Sequence, residues 1–366
     1  MIAGDCGESL AAGACALEVA DYTAADFRPA KGIAMAAPGY DVLGIGNAIV
    51  DVLARADDAF LVKHGLVKGA MTLIDAERAE ALYAAMGPGI EISGGSAANT
   101  LAGVASLGGR AAYIGKVRDD QLGQVFRHDI RAAGVAFDST PSRDGASTAR
   151  CLILVTPDAQ RTMQTYLGAC AELGPDDVTQ DRVAAAQVTY LEGYLWDKAA
   201  AKDAFRKAMR LARDSGRKVS LTLSDPFCVE RHRAEFLDLV ERHVDILFAN
   251  EAEIIALYQA RNFADAMAQL RAHRRRVAAL TRSAKGSVVV AADAVHEVPA
   301  EPIGRVVDTT GAGDLYAAGF LYGFTQGRDL PSCARIGSIA AAEIISHFGA
   351  RPEVPLADLV RRKLTN

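Results

Sequence analysis

The sequence predicts an α/β protein with a doubly wound, mostly parallel sheet and helices on both faces. Three observations carry this. From residue 174 onward helical stretches alternate with short apolar runs: 174–187 leads to Val188–Leu191, 198–215 to Lys218–Leu223, and 229–243 to Asp245–Ala249. Strands separated by helices of this length pair in parallel and bury both sheet faces. The chain has 366 residues, half of them hydrophobic, enough for one large core. One hairpin interrupts the alternation: the β-rich runs Thr148–Val155 and Arg161–Leu167 flank the turn-forming Thr156-Pro-Asp-Ala-Gln160.

The elements follow in order. Tyr40–Gly46 reads as a short strand ending in a turn, with Asn47 and Asp51 offering polar groups just beyond it. A dinucleotide fingerprint at Gly44-Ile-Gly46 lacks its third glycine, and no Walker P-loop occurs. A helix-like run at 59–66, a strand-like run at Met71–Ile74 and a helix capped by Asp75 come next. In Ser93-Gly-Gly-Ser-Ala-Ala-Asn-Thr100, Gly94 and Gly95 permit close backbone approach to a ligand, Ser96 is expected to cap the helix, and Asn99 lies one turn in. A tight strand-to-helix turn accounts for the same residues. Arg110–Val117 reads as a strand, and a helix from Asp119 to Ala133 is closed by Gly134. Asn250-Glu-Ala-Glu253 stands at a strand end, where Asn250 also serves as a plain cap with acids complementing the helix dipole. Val277–Leu280 and Ser287–Ala291 flank the loop 281–286, and helices at 331–347 and 356–363 close the chain.

The most informative stretch is Asp308-Thr-Thr-Gly-Ala-Gly-Asp314, which opens an apolar helical run to Phe324. Gly311, Ala312 and Gly313 let the backbone turn tightly, so that free N–H groups at a helix N-terminus face an anion. Asp314 at the lip can take a proton from an attacking hydroxyl, or serve only as a cap. Gly319 and Gly323 would let this helix pack closely on a neighbour.

Net charge of −5 and a pI near 5.9 give no general attraction to nucleic acid or an anionic membrane. The Arg274-Arg275-Arg276 run reads as a solvated helix end. Cys6, Cys15, Cys151, Cys170, Cys228 and Cys333 are scattered without a CxxC pair, which argues against a disulfide framework or zinc site and fits a reducing cytoplasm. The histidines show no metal-ligand spacing, and no apolar run reaches membrane-span length. Residues 1–34 hold five acids and no base before Arg28, unlike a signal peptide. They read as a flexible extension or a start-site artefact, because Met35 opens like a natural start.

DTTGAGDLYAAGF resembles the C-terminal signature of the ribokinase-like (PfkB) kinase family, and GGSAANTLAGVASLGG resembles its N-terminal signature. GNAIVD, the TARC…RTMQTYLGA hairpin and NEAE occur in the family's order, nearest to adenosine kinase-like members. The resemblance covers about Tyr40 to Leu364. It implies a kinase domain at 35–366, with a small β lid formed by about 52–75 and 137–168. The implied reaction is ATP-dependent phosphorylation of a nucleoside 5′-hydroxyl, adenosine being favoured; a sugar kinase acting on ribose, fructose or a keto-deoxy sugar is the alternative. By the resemblance Asp314 is the catalytic base, and the Gly311, Ala312 and Gly313 amides, with Arg161, stabilise the transferring phosphoryl group. Asn47, Asp51, Gly94, Gly95, Ser96 and Asn99 bind the acceptor's hydroxyls, with Met163, Leu167 and Tyr194 near its base. Asn250, Thr281, Gly286 and Thr309 lie toward ATP, and Glu253 helps hold Mg²⁺ through water. A monovalent cation such as K⁺ is compatible with the family, as is a monomer or a homodimer. The implied partner is a small-molecule nucleoside or sugar, with neither nucleic acid nor membrane. A chain starting at Met35 is expected to keep full activity; a large fall in melting temperature would overturn this.

Overall fold

The computed structural model describes residues 39–365 apart from 159, 274, 275 and 293. The readings made for residues 1–34, Met35, Cys6, Cys15 and the Arg274-Arg275 pair lie outside the described residues.

Short apolar runs form strands, and several of the helices open on an aspartate cap. The chain runs β1 (Tyr40–Ile45), β2 (Ile49–Arg55), α1 (Asp58–Lys63), β3 (Met71–Leu73), α2 (Ala76–Ala85), β4 (Gly89–Gly94), α3 (Ser96–Ser106), β5 (Ala111–Ile114), α4 (Gln121–Ala132) and β6 (Val135–Ala136). It continues through β7 (Ala149–Val155), β8 (Arg161–Tyr166), α5 (Gln180–Ala184), β9 (Ala186–Glu192), α6 (Ala199–Asp214), β10 (Lys218–Thr222), α7 (Pro226–Arg242) and β11 (Ile246–Asn250). The last part is α8 (Glu251–Tyr258), α9 (Phe263–His273), β12 (Val277–Thr281), β13 (Ser287–Ala291), β14 (Ala294–Val298), α10 (Ala312–Thr325), α11 (Leu330–Ile344) and α12 (Leu356–Thr365). Asp75, Asp120, Asp225 and Asp329 each accept a backbone N–H of the helix they open.

The main sheet has nine strands in the order β14-β13-β12-β11-β10-β9-β1-β5-β6. It is parallel from β6 to β12, and β13 and β14 add an antiparallel edge. Successive residues of β1 serve opposite faces: Val42 packs in one core with Leu101, Leu315 and Phe320, while Leu43 packs in the other with Phe205, Leu221 and Phe236. From β1 the strand order runs outward both ways, through β5 to β6 and through β9 to β14. The junction of β1 and β9 is therefore the topological switch point, where a crevice opens beyond the strand ends.

A second sheet of five strands, β3-β8-β7-β2-β4, stands apart from the first. It joins the predicted hairpin (β7, β8) to β2 and β3, and also takes in β4, which leads into α3.

Three expectations need correction. The helix expected over 174–187 shrinks to a 3₁₀ turn at Pro175–Asp177 and the five-residue α5, with β9 already begun at Ala186. Pro175 fits the first helical position, but the chain is extended again at Val178 and Thr179. The strand expected over Arg110–Val117 is confined to Ala111–Ile114. Ser96 does not cap α3: Gly95 occupies that position with φ 96°, leaving the Ser96 hydroxyl free to bond elsewhere.

α10 is buried on nearly all sides, as its apolar composition requires. A Cβ at Gly319 would lie 2.7 Å from the Gly337 backbone of α11, and one at Gly103 would lie 2.6 Å from Ala318 Cβ. These close approaches fix α10 between α3 and α11. Gly319→Val should therefore destabilise the fold by about 1–3 kcal/mol through overpacking, read as a lower urea midpoint. An unchanged midpoint would show that α10 and α11 separate at no cost.

Candidate active site

The strand ends at the switch point carry the polar groups. Asn47 follows β1 and Glu192 ends β9. Glu192 accepts from Asn47 Nδ2 at 2.6 Å through one oxygen and from the Ala97 N–H at 2.8 Å through the other. It thereby fixes the post-β1 turn against the first turn of α3. Burial pushes its carboxyl up to about 7, partly offset by these donors. A Cβ at Gly46 would sit 2.4 Å from Glu192 Oε2, so only glycine leaves room for this carboxylate. Sequence reasoning missed Glu192; an acid immediately after an apolar strand was the available signal.

α3 and α10 meet across the crevice at Asp314. One of its oxygens accepts from Ser96 Oγ at 2.6 Å and the other from Asn99 Nδ2 at 3.1 Å. Burial raises the Asp314 pKa above the ordinary carboxylate value, while Ser96, Asn99 and the charge of Arg351 pull it down. Beside it, Gly311 takes the left-handed φ of 77° and opens α10 without a side-chain cap. The N–H of Ala312 reaches Thr309 O, and that of Leu315 begins the helical ladder from Gly311 O. Those of Gly313 and Asp314 have no acceptor among the described residues. Nothing lies within 4 Å of a Cβ placed on Gly313, so there is room beside the helix end at that residue. Unpaired amides at a helix N-terminus are a place for an anion, but of the three donors expected there the Ala312 amide is engaged by Thr309 O.

Asp51 lies on β2, and Gly94 runs directly beneath it; a Cβ there would be 2.3 Å from Asp51 Cγ. At Gly95 a Cβ would meet Asn47 O at 2.2 Å. Asp51 is pushed up to about 6, chiefly by burial and opposed by Arg351 and Arg161. The buried Oδ1 of Asn99 has no partner. An orphaned acceptor at a crevice is a place for a ligand donor. Asp51, Gly94, Gly95, Ser96, Asn99 and Asp314 thus come together, with Asn47 held behind them.

Arg161 reaches in from β8 and donates through Nη1 to both oxygens of Asp308, at 2.9 and 2.8 Å. Asp308 also accepts the N–H groups of Thr310 and Gly349. The second sheet is so tied to the loop that opens α10. Its inner face carries Ile49, Cys151 and Ile153, with Leu53, Met163 and Leu167 packed alongside, a cluster separate from the two main cores. Tyr194 lies outside that cluster. It follows β9 on the core side, with its N–H on Ser224 Oγ and its hydroxyl on Ser224 O.

At the far end of the crevice, Asn250 and Thr281 are register neighbours on β11 and β12. Gly286, at φ 84°, closes the loop after β12, and a Cβ there would meet Val298 O at 2.1 Å. Thr309 is exposed on the approach to Gly311. Glu253 and Asn250 cap one another: both Glu253 oxygens accept from Asn250, at 2.9 and 2.6 Å. Burial raises the Glu253 carboxyl to about 7. Among the described residues there is no group of three or more His, Cys, Asp or Glu able to hold a metal ion directly.

An uncapped helix end beside a buried carboxylate, at the switch point of a doubly wound sheet, suits phosphoryl transfer to a hydroxyl group, and comparisons with known proteins show a phosphotransferase acting on a hydroxyl group. A family model described as pfkB family carbohydrate kinase matches residues 72–357, and the chain belongs to that family. Such kinases use ATP, commonly with Mg²⁺. The structure is similar to an adenosine kinase from Sinorhizobium meliloti, 57% identical, with a TM-score of 0.83 over 88% of this chain and 99% of that one. It is also similar to a probable sugar kinase from Rhizobium etli CFN 42, 52% identical, with a TM-score of 0.84 over 90% of this chain and 100% of that one. Adenosine kinase of Saccharomyces cerevisiae is 28% identical over 326 residues, 83% of this chain and 94% of its own length. No described helix is long and apolar enough to cross a membrane.

Asp314→Asn should lower kcat by roughly 10²–10⁴, the contribution of a general base, with acceptor affinity little changed. In the native protein a base must be ionised, so kcat should fall as pH drops through the raised Asp314 pKa. Near-normal turnover in the variant would remove Asp314 from the chemistry.

Proposed function

We propose that the chain transfers the γ-phosphoryl group of ATP to the 5′-hydroxyl of a nucleoside, with adenosine the favoured acceptor. The observation that carries this reading is the inner face of the small sheet. Ile49, Asp51 and Leu53 alternate onto one face of β2, and Met163 pairs with Ile153 across β7 and β8. One carboxylate is thus set in an apolar surface. A nucleoside has that division: a ribose diol for the carboxylate and a flat base for the apolar surface. The S. meliloti adenosine kinase supports the same choice.

In this reading the small sheet is a lid and 35–366 form one kinase domain. Asp51, Asn47, Asn99 and the bare backbone at Gly94 and Gly95 bind the ribose, while Met163 and Leu167 cover the base. Asp314, oriented by Ser96 and Asn99, takes the proton of the 5′-hydroxyl as its oxygen attacks phosphorus. The free amides at Gly313 and Asp314 and the Arg161 guanidinium hold the charge on the phosphoryl oxygens. Asn250, Thr281, Gly286 and Thr309 line the donor side, and Tyr194 is bonded to Ser224 rather than packed in the apolar cluster of the small sheet. Mg²⁺, when bound with ATP through water near Glu253, neutralises phosphate charge. The buried, free Cys151, Cys170, Cys228 and Cys333 suit a reducing cytoplasm.

An acceptor panel with product detection tests the reading. Adenosine should be preferred over 2′-deoxyadenosine by about tenfold or more in kcat/KM, since the deoxy compound leaves a buried polar group unpaired. Diol binding needs ionised Asp51, so adenosine affinity should weaken as pH falls through about 6. Phosphorylation of ribose or fructose at rates matching adenosine would defeat the nucleoside reading in favour of a sugar kinase.

A further inference from the structure

Arg351 lies in the segment after α11 and is distant in sequence from every group described above except Gly349. Its partly buried guanidinium donates from Nε to Ser93 O at 3.1 Å, from Nη1 to Ala98 O at 2.8 Å, and from Nη2 to Ser93 O and Oγ at 2.6 and 2.8 Å. Ser93 is gripped from the other side by Asp129 of α4, which accepts its N–H and its hydroxyl. Ser93 begins the buried end of β4, and Ala98 is in the first turn of α3. Between them lie Gly94, Gly95, Ser96 and Ala97. The fork spans the whole loop that presents the acceptor groups.

We propose that Arg351 is a positioning residue of the transfer site, locking the 93–99 segment so that Ser96 and Asn99 meet Asp314. The geometry of an arginine is used fully here. Its planar fork makes several fixed contacts to two carbonyls, which a lysine head cannot reproduce. The same segment donates Gly349 N–H to Asp308, so one short stretch braces both the acceptor loop and the loop that opens α10. Arg351 also supplies positive charge to carboxylates on three separate elements: Asp51 on β2, Asp129 on α4 and Asp314 on α10. The other ionisable groups facing these include Tyr113 on β5, Cys151 on β7, Arg161 on β8, Tyr190 and Glu192 on β9, and Tyr194 just after β9. With Arg351 neutralised, the burial of Asp51 and Asp314 would be less opposed, and both would hold their protons to higher pH.

The proposal rests on Asp314 as the proton acceptor, but not on the identity of the acceptor molecule. R351Q and R351K are compared with the wild type, using ATP with adenosine, or with ribose or fructose if the wild type turns over only these. R351Q should lower kcat/KM by about a hundredfold, the scale of a small misplacement of reacting groups. It should also move the acid limb of the kcat profile to higher pH and speed amide exchange in 93–99. R351K keeps the charge, so the acid limb should stay in place while kcat/KM remains at least about tenfold down for want of the fork. Wild-type kcat/KM in a folded R351Q overturns the proposal. So does an unmoved acid limb with exchange raised evenly across the core, which is the mark of a merely structural arginine. Should R351Q fail to fold, R351K decides alone, and wild-type kcat/KM in it is the overturning result. A wild type inactive on adenosine defeats the nucleoside reading and leaves this comparison intact. Normal turnover in D314N defeats the base assignment by itself.

Discussion

The Asp308–Arg161 pair is the joint on which the arrangement of the crevice depends. Both side chains are nearly sealed from water, at 3% and 9% exposure. A buried carboxylate is tolerable only when its charge is paired and its lone pairs are filled. Asp308 meets the condition with donors from three places: the Arg161 guanidinium on β8, the Thr310 amide in its own loop, and the Gly349 amide after α11. In this arrangement the small sheet can lift away from the crevice only by parting this pair. The pair itself adds little net stability, because desolvation offsets the attraction. It specifies position: the small sheet sits where its apolar face overlooks the crevice, and the α10 loop sits with its amides turned outward.

The second constraint is backbone proximity. α10 can end at the crevice with uncapped amides because the rest of it is anchored in the core. Gly103, Gly319 and Gly337 let α3, α10 and α11 approach to distances at which any side chain would collide with a neighbour. Packing energy elsewhere in the helix holds an N-terminus that is unfavourable on its own, with donors left unsatisfied. A phosphate group is the natural complement of that deficit. The sequence-to-site chain is short here: glycine spacing sets helix contact, helix contact sets the position of the helix end, and the end sets the charge it attracts.

Much of this was legible in the sequence because the relevant residues lie close together along it. DTTGAGD and GGSAAN each put glycines, a helix start and a polar side chain within a few residues, and the structure brings Asp314, Ser96 and Asn99 into contact from those two segments. The alternating pattern gave the parallel sheet for the same local reason. Glu192 and Arg351 carry no such local sign. Glu192 matters because Asn47 and Ala97 reach it from 145 and 95 residues away, and Arg351 because Ser93 and Ala98 lie 258 and 253 residues back. The helix expected over 174–187 failed for a different reason. Its composition suits a helix, but β9 needs Ala186 and Gln187 for pairing with β1 and for the contact between Gln187 and Asp41, and tertiary pairing outweighs a weak propensity. Gly95 displaced Ser96 as cap because the loop needs a left-handed residue there, which glycine adopts without strain.

The crevice concentrates carboxylates that burial holds above their usual range. Asp51 is raised to about 6 and Glu192 to about 7, with Asp314 shifted the same way. The sign of the linkage follows. Each binds its proton more tightly in the folded chain than in the unfolded one, so its contribution to stability is greatest below its unfolded pKa and declines as pH rises through the folded value. At neutral pH the folded protein therefore carries an electrostatic strain that a site built for stability would avoid. Arg351 and Arg161 relieve part of it without forming a direct ion pair to Asp51 or Asp314. Had either arginine bonded these acids directly, the acids would be fully ionised but also occupied. Instead one guanidinium is committed to backbone carbonyls and the other to Asp308, so they act on Asp51 and Asp314 only through space. The acids remain charged enough to accept a proton or a hydroxyl, and open enough to reach one.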